Sequence, residues 1–98
     1  MKSGVLDEAD NARHVARSLF RRTKRGPARI TAELLAKGYP SSLAREASDG
    51  ISAEEYAEAL RYHAGRLPEP KDEKSRAKTA AALSRLGFPA HEIKEILS

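Results

Sequence analysis

Residues 28–48, ARITAELLAKGYPSSLAREAS, and residues 77–97, AKTAAALSRLGFPAHEIKEIL, repeat one pattern at a constant offset of 49. Ala28, Ala32, Leu34, Gly38, Pro40 and Glu46 recur as Ala77, Ala81, Leu83, Gly87, Pro89 and Glu95, and Arg29, Tyr39 and Arg45 recur as Lys78, Phe88 and Lys94. In each copy an apolar helical stretch meets a glycine, an aromatic residue and a proline, and a shorter helical stretch follows. Glycine is the residue that adopts a left-handed conformation without a Cβ penalty, so Gly38 and Gly87 are expected to be equivalent positive-φ caps. An internal period of this length is the mark of a helical repeat, in which one unit stacks on the next.

Upstream of each copy lies one more helix. Ala9, Ala12, Val15, Ala16, Leu19 and Phe20 follow the 3-and-4 spacing of a buried stripe, with Asp7 placed to cap it. This helix is expected to stop near Lys24 or Arg25, because Gly26 favours a break and Pro27 suits the first turn of a new helix over about 27–37. Ile30, Leu34 and Leu35 supply the apolar side of that helix, and residues 41–48 form a short third one. In the second half, Ser52 with Glu55 makes a capping box for a helix over 53–66 carrying Ala53, Tyr56, Ala57, Leu60 and Ala64. Ala57 and Leu60 match Ala12 and Val15 at an offset of 45, so the second connection is longer, and the proline segment Leu67 to Lys71 reads as a non-helical linker. Asp72 caps a fifth helix that Gly87 closes, and Ile93, Ile96 and Leu97 mark a sixth. No stretch alternates with period two. The expected fold is all-α, two tandem three-helix repeats without a sheet, divided as residues 1–49 and 50–98. In the third helix of the first repeat, Ala44, Ala47 and Ser48 stand where the second has Ile93, Ile96 and Leu97, so weak packing is expected there. Units of this size hold marginal cores, which makes docking between them important.

Composition narrows the function. The 98 residues contain no cysteine, which removes disulfides, thiolate zinc sites and cysteine nucleophiles, and which suits a reducing cytoplasm. No apolar run approaches the roughly 20 residues of a membrane-spanning helix. His14, His63 and His91 fall in separate segments without metal-ligand spacing and read as surface or boundary residues. The acid pairs Asp7/Glu8, Glu54/Glu55 and Asp72/Glu73 all sit in first helical turns, where a negative charge favours the helix dipole, so capping explains them better than general acid–base work. The six glycines form no nucleotide-binding loop. No catalytic site, metal or cofactor is expected.

Charge placement is the one functional signal. Residues 1–49 hold ten Lys/Arg against six Asp/Glu, whereas residues 50–98 hold eight of each. Arg13, Arg17, Arg21, Arg22, Lys24, Arg25 and Arg29 lie in a stretch, Asn11 to Ala32, that contains no acid. Such a block either solvates a helix face or attracts polyanions and acidic partners. The N-terminal N–H groups of the second helix add positive potential beside it. Tyr56 and Tyr62 are candidate partner anchors, with half-buried packing as the plain alternative.

The order of these features resembles a known family. Val5-Leu6-Asp7-Glu8, Ala12, Arg25-Gly26-Pro27-Ala28-Arg29-Ile30, Glu33-Leu34 and Lys37-Gly38-Tyr39 resemble the second helical repeat of RecX proteins, regulators of the RecA recombinase. Asp72 to Ser98, with Leu83-Ser84-Arg85-Leu86-Gly87-Phe88, resembles the third. The resemblance implies an elongated, non-enzymatic, cytoplasmic monomer acting in DNA repair and recombination. It would bind the groove of a RecA-type recombinase filament, inhibit it, and meet DNA phosphates of the single strand within the filament through the basic stripe. The family usually carries three repeats, and the first has no counterpart here, which corresponds to a truncated or naturally short relative. Two other functions fit the residues themselves: a small basic helix-turn-helix DNA-binding protein, and a protein-interaction module without nucleic-acid contact. Few Asn, Gln or Arg residues stand on the second helix to read base edges, which weighs against the former.

Overall fold

A computed structural model describes residues 8–98. Six helices follow one another: α1 (Glu8–Thr23), α2 (Pro27–Ala36), α3 (Ser41–Asp49), α4 (Ala53–Arg66), α5 (Glu73–Arg85) and α6 (Ala90–Leu97). Among the described residues there is no strand, and the molecule is elongated with a cross-section of 19 × 19 Å. The expected all-α architecture is therefore observed. Val5, Leu6 and the Asp7 cap lie outside the described residues.

Local signals act as their chemistry requires. The Ser52 hydroxyl accepts from the Glu55 N–H while the Glu55 carboxylate accepts from the Ser52 N–H, so two otherwise orphan donors at the start of α4 are satisfied. Asp72 and Ser75 do the same for α5. Leu67 leaves α4 in an extended conformation, and the proline segment after it is not helical. Gly38 and Gly87 close their helices with φ of 99° and 100°. The two helix–turn–helix segments are thus equivalent in conformation as well as in sequence.

The apolar stripe of α1 buries Ala12, Ala16, Leu19 and Phe20 against the neighbouring helices. The expectation that α3 packs weakly is overturned. Ala44 and Ser48 are 0% and 1% exposed, and α3 is the element on which both α1 and α2 chiefly pack. Small side chains leave little apolar area but let the helix axes approach. The polar group this buries is satisfied, since the Ser48 and Thr31 hydroxyls lie 2.7 Å apart and the Ser48 hydroxyl also donates to the Arg45 carbonyl. Tyr56 is likewise not an exposed anchor. Its ring meets Phe20 edge-on at 5.3 Å, and its hydroxyl donates to the Ser48 carbonyl at 2.8 Å, so it fastens α4 to α1 and α3.

The break between α1 and α2 falls where expected, with Pro27 opening α2, but its conformation shows a further role for Gly26. The residue with positive φ after α1 is Lys24, at 53°, whereas Gly26 is an ordinary extended N-cap with φ of −80°. Glycine at 26 answers to tertiary contact. The Gly26 N–H donates to the Leu86 carbonyl at 2.7 Å, and the Ala28 N–H donates to the Gly87 carbonyl at 3.1 Å. A Cβ on residue 26 would stand 2.4 Å from the carbonyl carbon and oxygen of Gly87, and one on residue 87 would stand 2.4 Å from the Arg29 nitrogen. Two turns from opposite halves therefore meet backbone to backbone, a distance only paired glycines permit.

Gly38 and Gly87 share a conformation but not surroundings, since nothing lies within 4 Å of a Cβ built on Gly38. Gly38→Ala is expected to cost about 1–2 kcal/mol through left-handed strain alone. Gly87→Ala is expected to cost at least ~2 kcal/mol more, because the junction must open as well. Urea denaturation of the two variants checks this, and equal losses would contradict the described contact.

Candidate anion-binding face

The basic residues picked from the sequence all lie on α1, the turn after it, and the first turn of α2, but the structure sorts them into two groups. Arg13 pairs with Asp10 and, at 4.0 Å, with Glu46. Arg17 pairs with Glu55, and its guanidinium reaches the Gly50 carbonyl. Arg25 and Arg29 share Glu33, each at 3.6 Å. Glu33, Glu46 and Glu55 come from α2, α3 and α4, so an acid-free stretch of chain is largely neutralised by acids folded against it. Arg21, Arg22 and Lys24 are exposed and make no ion pair with any described residue. They surround the C-terminal end of α1, where cations also complement the helix dipole.

The Arg17–Glu55 contact joins the two halves of the chain. Glu55 is held below its ordinary carboxylate pKa, first by the Ser52 N–H it accepts from and further by Arg17. Asp72 is lowered in the same way by the Ser75 N–H.

Tyr62 is the other exposed sequence candidate, at 46%. Lys24 Nζ stands 5.3 Å from its ring centroid and the Arg66 guanidinium carbon 5.5 Å, within cation–π range. Arg66 was not singled out from the sequence, although its i+4 spacing from Tyr62 on one helix is a signal for contact. His63 approaches Tyr62 edge-on and donates from Nε2 to the Lys24 carbonyl at 2.9 Å, which holds the end of α1 against α4. His14 and His91 are exposed. Elsewhere, a groove of about 630 Å³ between α5 and α6 is lined by Ala77, Ala80, Ala81, Ile93 and Leu97, and it contains none of the candidate residues.

Taken together, these features define a class: an elongated all-helical protein of repeated helix–glycine turn–helix segments with three unpaired cations exposed at the end of α1. Residues 7–47 match the family described as RecX, second three-helix domain, so this part of the chain is similar to that domain. No curated protein and no solved structure matches the chain. The match ends within α3 and does not extend to α4–α6.

Two outcomes follow from the pairing. Arg17→Glu, which faces Glu55 with like charge, is expected to lower stability by about 0.5–1 kcal/mol, whereas Arg21→Glu should stay within about 0.5 kcal/mol of the parent. Because the folded pKa of Glu55 is depressed, its stabilising effect is present above its ordinary value of 4.5 and is lost as pH falls through the lowered one. Glu55→Gln should therefore flatten the acid limb of the stability profile, read as urea midpoints between neutral pH and about pH 3.

Proposed function

We propose that this protein is a non-enzymatic regulator that binds a RecA-type recombinase nucleoprotein filament and inhibits its recombination and ATPase activity. In this reading residues 1–49 and 50–98 are two tandem repeats corresponding to the second and third of RecX proteins, acting as a monomer in the cytoplasm. The observation that carries it is the match of residues 7–47 to the RecX domain. The cluster of Arg21, Arg22 and Lys24, left free of carboxylates while Arg13, Arg17, Arg25 and Arg29 are held in ion pairs, supports an anionic partner. Phosphates of the DNA strand in the filament fit that charge best. The paired arginines then orient the surface and the unpaired cations make the contacts. A stand-alone helix-turn-helix reader is less well supported, since the exposed side of α2 offers mainly Ala28, Ala32 and Leu35, and its exposed Arg29 is paired with Glu33.

The decisive measurement is recombinase ATPase on single-stranded DNA during titration with this protein. A progressive fall is expected, and the Arg21→Glu, Arg22→Glu, Lys24→Glu variant should require about tenfold more protein or beyond while keeping its helix content. If these three cations each neutralise one phosphate of a single strand, log affinity should fall against log salt with a slope near −2, about −0.7 per phosphate. Absence of both inhibition and co-sedimentation with the filament would reject the proposal.

A further inference from the structure

Tyr62 is an aromatic residue of α4 that the core does not use. Its ring is nearly half exposed, while Tyr56 on the same helix is buried with its hydroxyl satisfied. Lys24 and Arg66 stand against the ring, from the turn after α1 and the end of α4 respectively. Neither makes an ion pair with a described residue, and both are exposed. Lys24 is carried there by its left-handed backbone and by the His63 bond to its carbonyl. The ring thus carries two cations that are free of carboxylates at the seam between α1 and α4, Arg66 also donating to its hydroxyl at 3.4 Å. Arg21 and Arg22 extend the positive charge along α1 from this point.

A π-face flanked by cations is what unpaired nucleic acid recognises. Any base can stack on an aromatic ring or on a guanidinium lying beside it, and the adjoining phosphates are met by the cations. Double-stranded DNA cannot use such a face without unstacking a base. We propose that Tyr62, with Arg66 and Lys24, forms a stacking site for a base of single-stranded nucleic acid, so that the strand passes from the α1 cations across the seam onto α4. This extends the proposed function, on which it rests, by naming a residue that contacts a base and the strandedness it selects.

The two readings are separable by comparing a fluorescently labelled oligothymidylate with an abasic oligonucleotide of equal length at low salt. Tyr62→Leu keeps apolar bulk but removes the π-face, and Tyr62→Phe keeps the π-face. Expected is a loss of about tenfold in affinity for oligothymidylate in Tyr62→Leu, near-parental affinity in Tyr62→Phe, and a much smaller change toward the abasic strand in either. Upfield shifts of the Tyr62 ring protons on adding oligothymidylate, absent with the abasic strand, report the stacking directly. Equal affinity of parent and Tyr62→Leu for oligothymidylate, with binding still lost in the Arg21/Arg22/Lys24 variant, would overturn the stacking site and leave the basic-face proposal standing. Failure of the parent to bind either strand would overturn the stacking site, while inhibition of the recombinase and co-sedimentation with the filament decide the proposed function separately.

Discussion

The contact between Gly26 and Gly87 fixes how the two halves of this molecule sit. It consists of two main-chain hydrogen bonds between turns from opposite halves, made possible because neither turn carries a Cβ at the point of closest approach. Tyr56 against Phe20 and Ser48, Arg17 against Glu55, and His63 against the Lys24 carbonyl all lie along the same seam. Each of these is a side-chain contact that a modest rotation would lengthen. The backbone contact permits no such adjustment, since its donors and acceptors are fixed by the helices they terminate. The position of Lys24 beside Tyr62 and Arg66 follows from it.

Folding changes the meaning of the charge pattern. Along the chain, seven cations stand in an uninterrupted acid-free stretch, and their natural reading is one broad polyanion site. In three dimensions four of them are engaged by acids of α1, α2, α3 and α4, and they hold elements together. What remains open is smaller and lies further toward the C-terminal end of α1. It adjoins an aromatic residue from the second half, which the count of charges by half does not anticipate. A surface built this way holds its unpaired cations on a stiff support, which limits the side-chain ordering lost when a partner binds.

Much of the fold was legible because its determinants are local. The helix boundaries, the capping box at Ser52, the cap at Asp72, the proline break and the paired left-handed glycines each depend on residues within a turn of one another. One reading failed, and the full reason for another residue was missed, where the determinant is distant. Ala44, Ala47 and Ser48 look like a poor apolar face until Thr31 and the close approach of α1 and α2 are known. Gly26 does mark the break, but its closeness to Gly87 is not written locally, and the left-handed residue, Lys24, carries no glycine signature. Of the candidate site, the residue types were legible and their partners were not, because an ion pair such as Arg17–Glu55 is set by topology.

The seam also orders the assembly of the chain. Turns such as the one at Gly38 close loops of a few residues, and a three-helix group can collapse early on such short connections. The bond from Gly26 to the Leu86 carbonyl instead closes a loop of roughly sixty residues, whose entropic cost is recovered only once both turns already have their final shape. Each half must therefore be largely formed before the two can join, and the ring of Tyr62 meets Lys24 only at that last step. On a ribosome, the first half would wait with its Gly26 turn unsatisfied until the α5–α6 turn had emerged.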